Sequence, residues 1–124
     1  MPLRLSVLDQ SPIAKGRTPA DAVGETLELA QLCDRLGYTR YWLAEHHSSE
    51  ALAGSAPEVL IARVAGLTRH MRIGSGGVML PHYSAYKVAE NFRMLETLFP
   101  GRIDLGVGRA PGSDQRTMRV LADG

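Results

Sequence analysis

The strongest constraint on this chain is a repeat. Short apolar segments able to form strands start at Leu3, Tyr38, Arg72 and Ile103, and each is followed by residues with helical spacing. Intervals of roughly 30 to 35 residues are the size of one βα unit. Right-handed crossovers make such a sheet parallel and set the helices outside it. The expectation is α/β architecture built from four parallel βα units.

Local signals mark the elements. Leu3 to Leu8 reads as the first strand. Thr18-Pro-Ala-Asp21 supplies an N-cap threonine, a proline at the first helical position and an acid three residues after the cap, and Gly37 ends that helix. Val23, Leu27, Ala30 and Cys33 or Asp34 share its expected buried side. Tyr38 to Ala44 reads as the second strand, and Ser55-Ala-Pro-Glu58 as a helix start before Val59, Leu60, Ala62 and Val64. Arg72 to Leu80 is the third strand; Ser84 then precedes a helix through Val88, Phe92, Leu95 and Leu98 that stops at Phe99-Pro-Gly101. Ile103 to Val107 is the fourth strand, and Asp114 is better placed to cap the next helix than to catalyse. Cys33, Met71, Met79 and Met94 read as packing residues.

Bulk properties remove several function classes. A formal net charge of +1 creates no field that would gather nucleic acid or an anionic membrane. No run of about 18 apolar residues is present to span a bilayer. One cysteine, Cys33, excludes an internal disulfide framework and fits a reducing compartment, so the cytoplasm is the expected location. No linker divides the chain. A doubly wound sheet and a TIM-like barrel both begin this way, but a complete barrel takes about 250 residues. On the barrel reading, residues 1–124 are the N-terminal half of a βα-barrel domain, with an apolar inner face and unpaired outer strands.

In parallel βα proteins the chemistry gathers at the C-terminal strand ends. Those four places hold Asp9-Gln10-Ser11-Pro12, Glu45-His46-His47, Gly74-Ser-Gly-Gly77 to Pro81-His82, and Gly106-Val-Gly-Arg109. Either histidine after the second strand can act as acid, base or electrostatic partner; the alternative is one capping the strand and one in water. Neighbouring side chains face opposite ways and no third ligand has zinc spacing, so no metal site is expected. The glycine-rich third strand leaves clearance for a flat ring or for a tight bend. Neither it nor Gly106-Val-Gly108 fits a phosphate loop or a dinucleotide fingerprint. Arg109 is a permanent cation suited to a phosphate, a ring carbonyl or a surface ion pair.

These pieces occur in the order and spacing of a known family. RYWLAEHHSSEALAGSAPEVLIA and RIGSGGVMLPHYSAYKVAENFRMLETLFPGRIDLGVGRAPG together resemble the bacterial luciferase-like flavin monooxygenases over nearly the whole chain. The resemblance implies a parallel βα barrel in which reduced FMN and molecular oxygen oxidise a small organic substrate. By that likeness His46 is the catalytic histidine, Gly76 and Gly77 form a non-prolyl cis pair under the flavin ring, and Arg109 lies at the flavin site. Glu90 matches an acid associated with subunit contact or site geometry. Gly108 stands where true bacterial luciferase has a reactive cysteine, which points to the non-luminescent branch. A flavin reductase as supplier of reduced cofactor and a homo-oligomeric state are further expectations. Two other functions share the scaffold: hydride transfer with a deazaflavin, and non-catalytic flavin binding.

Overall fold

In the computed structural model, which describes residues 2–109 and 113–123, four strands alternate with four helices. They are β1 (Ser6–Asp9), α1 (Pro19–Arg35), β2 (Arg40–Leu43), α2 (Pro57–Leu67), β3 (Arg72–Met79), a 3₁₀ turn (Leu80–His82), α3 (Ala85–Leu98), β4 (Ile103–Gly108) and α4 (Gln115–Asp123). The sheet runs in the order β1-β2-β3-β4, with every neighbouring pair parallel. The expected α/β rhythm is the observed one.

Helix starts follow the local chemistry. Asp21 N–H donates to the Thr18 hydroxyl at 3.1 Å and Thr18 N–H donates to the Asp21 carboxylate at 2.9 Å, closing a capping box ahead of Pro19. Ser84 caps α3, and Asp114 accepts from Thr117 N–H at 2.7 Å at the start of α4. The second helix differs: Pro57 takes the first helical position, so the cap is Ala56 and Ser55 makes no capping bond. The first strand begins at Ser6 rather than Leu3, because pairing opens at Ser6 opposite Arg40; Leu3 and Leu5 are exposed.

The core lies on the helix-covered face of the sheet. It joins Ala30 and Cys33 of α1, Tyr41 and Leu43 of β2, Ile61, Val64 and Ala65 of α2, Ile73 and Val78 of β3, and Val88, Phe92 and Leu95 of α3. Burial raises the Cys33 thiol above its ordinary pKa, as suits a packing residue. Met71 and Met79 are buried, but Met94 is 61% exposed. At about 100° per residue it sits two positions, or some 200°, round α3 from Phe92. Val59 and Leu98 also face outward. On α1 the fully buried row is Ala22, Thr26, Ala30 and Cys33; Leu27 packs against the core half-buried, and the Thr26 hydroxyl is held at 2.7 Å by that of Ser11.

The open face of the sheet is layered. Near the N-terminal strand ends Arg40 and Arg72 stand in register on neighbouring strands, and Asp104 of β4 bridges them, accepting from Arg40 Nε at 3.0 Å and from Arg72 Nη2 at 2.7 Å. The Arg72 bond lowers the Asp104 pKa; burial opposes it and Arg40 adds to it. Trp42 lies above this layer, where a Cβ on Gly74 would come within 2.8 Å of the indole. The clearance at Gly74 is therefore filled by the protein's own aromatic ring.

Candidate active site

At the C-terminal ends of the strands three loops are stitched together. Ala44 N–H donates to the Asp9 carbonyl at 3.1 Å, His46 N–H to Gly54 at 2.8 Å and Ala53 N–H to Ser11 at 2.9 Å, so the loops after β1 and β2 brace each other. Asp9 is buried and accepts from Ser11 N–H at 2.7 Å and from the Tyr41 hydroxyl. Burial, and then that bond to Asp9, push the Tyr41 hydroxyl far above the usual tyrosine range. The start of α4 and the residues before it join from the other side: the Ser113 hydroxyl donates to the His47 carbonyl at 3.1 Å, and Thr117 Oγ1 of α4 to Ser48 Oγ at 2.8 Å.

Glu45, His46 and His47 follow β2 in the loop after Leu43 and meet different partners. Glu45 is 1% exposed. Its Oε2 accepts from His47 Nε2 at 2.6 Å and from the Tyr83 hydroxyl at 2.7 Å, while Oε1 accepts from Met79 N–H at 3.2 Å. The ring of His82, itself buried, stands edge-on to His47 with centroids 5.9 Å apart. Burial and the bond to Glu45 raise the Tyr83 pKa well above its ordinary value. His46 belongs to a different neighbourhood, with its Nε2 3.4 Å from Gln10 Nε2 at the end of β1. An amide nitrogen can only donate, so this contact leaves the lone pair on His46 Nε2.

The Gly76–Gly77 peptide is cis, and β3 slips by one residue against β4 between Ser75 and Val78. The Ser75 hydroxyl spans the slip, donating to the Gly106 carbonyl at 2.8 Å and accepting from its N–H at 3.1 Å. The two glycines serve different ends. A Cβ on Gly77 would lie 2.9 Å from the Val107 carbonyl carbon, so that residue is small because β4 is close. Gly76 is exposed on the open face, where a Cβ would meet the Trp42 and Leu8 side chains at 3.0 and 3.3 Å. Leu8 is 58% exposed beside it. This is a small apolar shelf bare of side chain at its centre.

Arg109 follows β4 directly and is exposed; residues 110–112 lie outside the described residues. Glu90 is on the outer surface of α3, paired with Lys87 at 3.5 Å. Sequence reasoning singled out Glu45 only as part of a polar triplet and passed over Tyr83. An acid ending the apolar run YWLA was the available signal for the first. Nothing in the sequence showed that the turn after β3 folds back onto it.

A parallel α/β sheet whose strand ends carry a buried Glu45 bonded to His47 and Tyr83, and a glycine shelf, defines the class: a βα protein with its candidate site at the C-terminal edge. A family profile described as luciferase-like monooxygenase matches residues 3–122, and the chain belongs to that family. The N-acetyl-S-alkylcysteine monooxygenase of Bacillus subtilis is 58% identical over 119 residues, covering 96% of this chain and 36% of that protein. The crystal structure of apo-MsnO8 superposes with a TM-score of 0.95 at 52% identity, covering 97% of this chain and 36% of that one. The FMN complex of the oxygenating constituent of 3,6-diketocamphane monooxygenase from Pseudomonas putida gives a TM-score of 0.82 at 21% identity, over 98% of this chain and 32% of that one, and shares the fold. The chain thus spans about a third of the length of the relatives it matches.

Proposed function

We propose that residues 1–124 are the first four units of an eight-unit βα barrel, and that the protein is a flavin-dependent monooxygenase acting with reduced FMN and molecular oxygen on a small organic substrate. The observation that carries this reading is the bare shelf at Gly76, flanked by Leu8 and Trp42 and placed at the same sheet edge as His46 and Arg109. Its shape and apolar lining suit a flat tricyclic ring. When bound, the flavin supplies the electrons and the activation of oxygen.

The chain's own groups take defined parts. Gly76 receives the ring without a side chain in the way, and Gly77 lets the β4 backbone approach behind it. Leu8 and Trp42 exclude water beside it. His46 accepts or returns a proton at the reacting centre. Arg109 offers its guanidinium to an anionic oxygen of the cofactor. A separate reductase supplies the reduced flavin, and the protein works in the cytoplasm as a homo-oligomer; among the described residues no helix is long and apolar enough to cross a membrane. The named substrate of the Bacillus subtilis relative makes thioethers the first substrate class to try.

The test is His46→Ala in the full-length protein, followed by oxygen electrode and product analysis with reduced FMN and a thioether. Product formed should fall by about 10² to 10⁴, the usual worth of a positioned acid or base, while FMN binding stays within a few fold. Wild-type coupling of oxygen to product in the variant refutes the role of His46. Turnover with a reduced deazaflavin and none with FMN replaces monooxygenation by hydride transfer, and flavin retention with no turnover at all leaves a binding protein.

A further inference from the structure

Glu45 has no part in the function just described, yet it is the most enclosed charged side chain at this end of the sheet. Two of its partners are fixed by chemistry. The backbone N–H of Met79 can only donate to Oε1, and a carboxylate can only accept. His47 and Tyr83 therefore both donate to Oε2, at 2.6 and 2.7 Å. His47 must carry its proton on Nε2, the opposite arrangement to the one Gln10 imposes on His46. Between these two rings runs a backbone pinned at Ala44 to β1 and at His46 to Gly54. The Glu45 carboxylate links this segment to Met79 and Tyr83 on either side of the turn after β3, beside the His47–His82 ring contact.

We propose that Glu45 is a positioning residue for His46: its carboxylate locks His47 as the Nε2–H form and clamps the β2–α2 loop to Met79 and Tyr83, so that His46 is presented to the Gly76 shelf in one orientation. The proposal rests on the reading of this edge as a flavin-dependent oxygenation site. Adjacency makes the arrangement effective, since an anchored Glu45 side chain restrains the loop backbone that carries its neighbour His46. Tyr83 adds a second arm from beyond the 3₁₀ turn. Without the clamp, the side-chain hydrogen bond His46 keeps among the described residues is its 3.4 Å contact to Gln10.

Glu45→Gln in the full-length protein is the discriminating variant. A glutamine cannot accept from all three donors. A backbone N–H cannot turn round, whereas an imidazole can move its proton, so the amide oxygen stays on Met79 and the NH₂ faces His47. Long-range ¹H–¹⁵N spectra of ¹⁵N-histidine protein, with His47 assigned by its loss in His47→Asn, should show Nε2–H in the wild type and Nδ1–H in Glu45→Gln. Product formed per oxygen consumed should fall about tenfold or more, with flavin affinity within about threefold. Tyr83→Phe should lower coupling less, and the double variant should be no worse than Glu45→Gln alone, as expected of residues sharing one network. An Nδ1–H His47 in the wild type, an unchanged tautomer in Glu45→Gln, or wild-type coupling in either single variant overturns the proposal. Should Glu45→Gln fail to fold, Tyr83→Phe and the wild-type tautomer decide it. A wild-type protein that uses no oxygen with reduced flavin overturns the functional reading instead, and the tautomer result still decides whether Glu45 clamps His47.

Discussion

Removing the Asp34 carboxylate should uncouple α1 from the segment entering β3. Asp34 sits in the last turn of α1, where a negative charge opposes the helix dipole. Its place is explained by three backbone donors: Met71 N–H at 2.8 Å, Arg69 N–H at 2.9 Å and His70 N–H at 3.0 Å. The Met71 amide is half-buried, and leaving it unmet costs about 1–3 kcal/mol. The other two are exposed, and water recovers most of their loss, adding about 0.5 kcal/mol each. Asp34→Ala should therefore destabilise by about 2–4 kcal/mol. With a mid-range urea slope of about 2 kcal/mol per molar, the unfolding midpoint should move by roughly 1–2 M. Burial pushes the carboxyl pKa up, but the three amides outweigh it and hold the group below its ordinary value. Its contribution is then complete above the unfolded value of about 3.9 and fades as pH falls through the lower folded value. Urea titrations of wild type and Asp34→Ala at pH 7 and pH 3 provide the assay. A loss under about 0.5 kcal/mol at pH 7, or a gap equally wide at pH 3, refutes the argument.

Two more substitutions probe the frame of the site. Arg102 donates to the carbonyls of Ala65, Thr68 and Met71 with one planar fork; a lysine cannot span them, so Arg102→Lys should cost about 2–3 kcal/mol, read as a lower denaturation midpoint. A Cβ at Gly106 would lie 2.1 Å from the Ser75 carbonyl oxygen; Gly106→Ala should force β4 off β3, costing at least about 1–3 kcal/mol and weakening flavin binding in a fluorescence titration, whereas unchanged melting and affinity would falsify the close approach.

Local chemistry was legible and tertiary chemistry was not. The capping box at Thr18 and Asp21 and the caps at Ser84 and Asp114 involve residues three apart, so the sequence contains all their partners. Leu27, Ala30 and Cys33 of α1 pack in or against the core as their spacing suggested, but Thr26 is buried through a partner on the loop after β1, which spacing could not show. Leu3 and Leu5 read as strand because they are aliphatic, while pairing is set by where β2 begins. At the site, strand alternation already implied that His46 and His47 part company. The glycine run was read as clearance for a flat ring or for a tight bend, and it divides: Gly74 accommodates Trp42, Gly77 accommodates β4, and Gly76 stays exposed between Trp42 and Leu8. Only packing could separate those three.

The two faces of the sheet explain why the chemistry collects at one edge. Each strand sends alternate side chains to opposite faces, so a charged residue must be matched within its own layer. On the open face Asp104 meets that need for Arg40 and Arg72 at the N-terminal ends, and Trp42 fills the space above it. The next layer holds Gly76, with no side chain to add. On the covered face at the same height, Glu45 gathers three donors and leaves no acceptor demand unmet. Rigid polar groups thus stand behind the shelf, and the bare surface stands in front of it. A ligand at Gly76 meets little that must move, since the groups that orient His46 are already satisfied by one another.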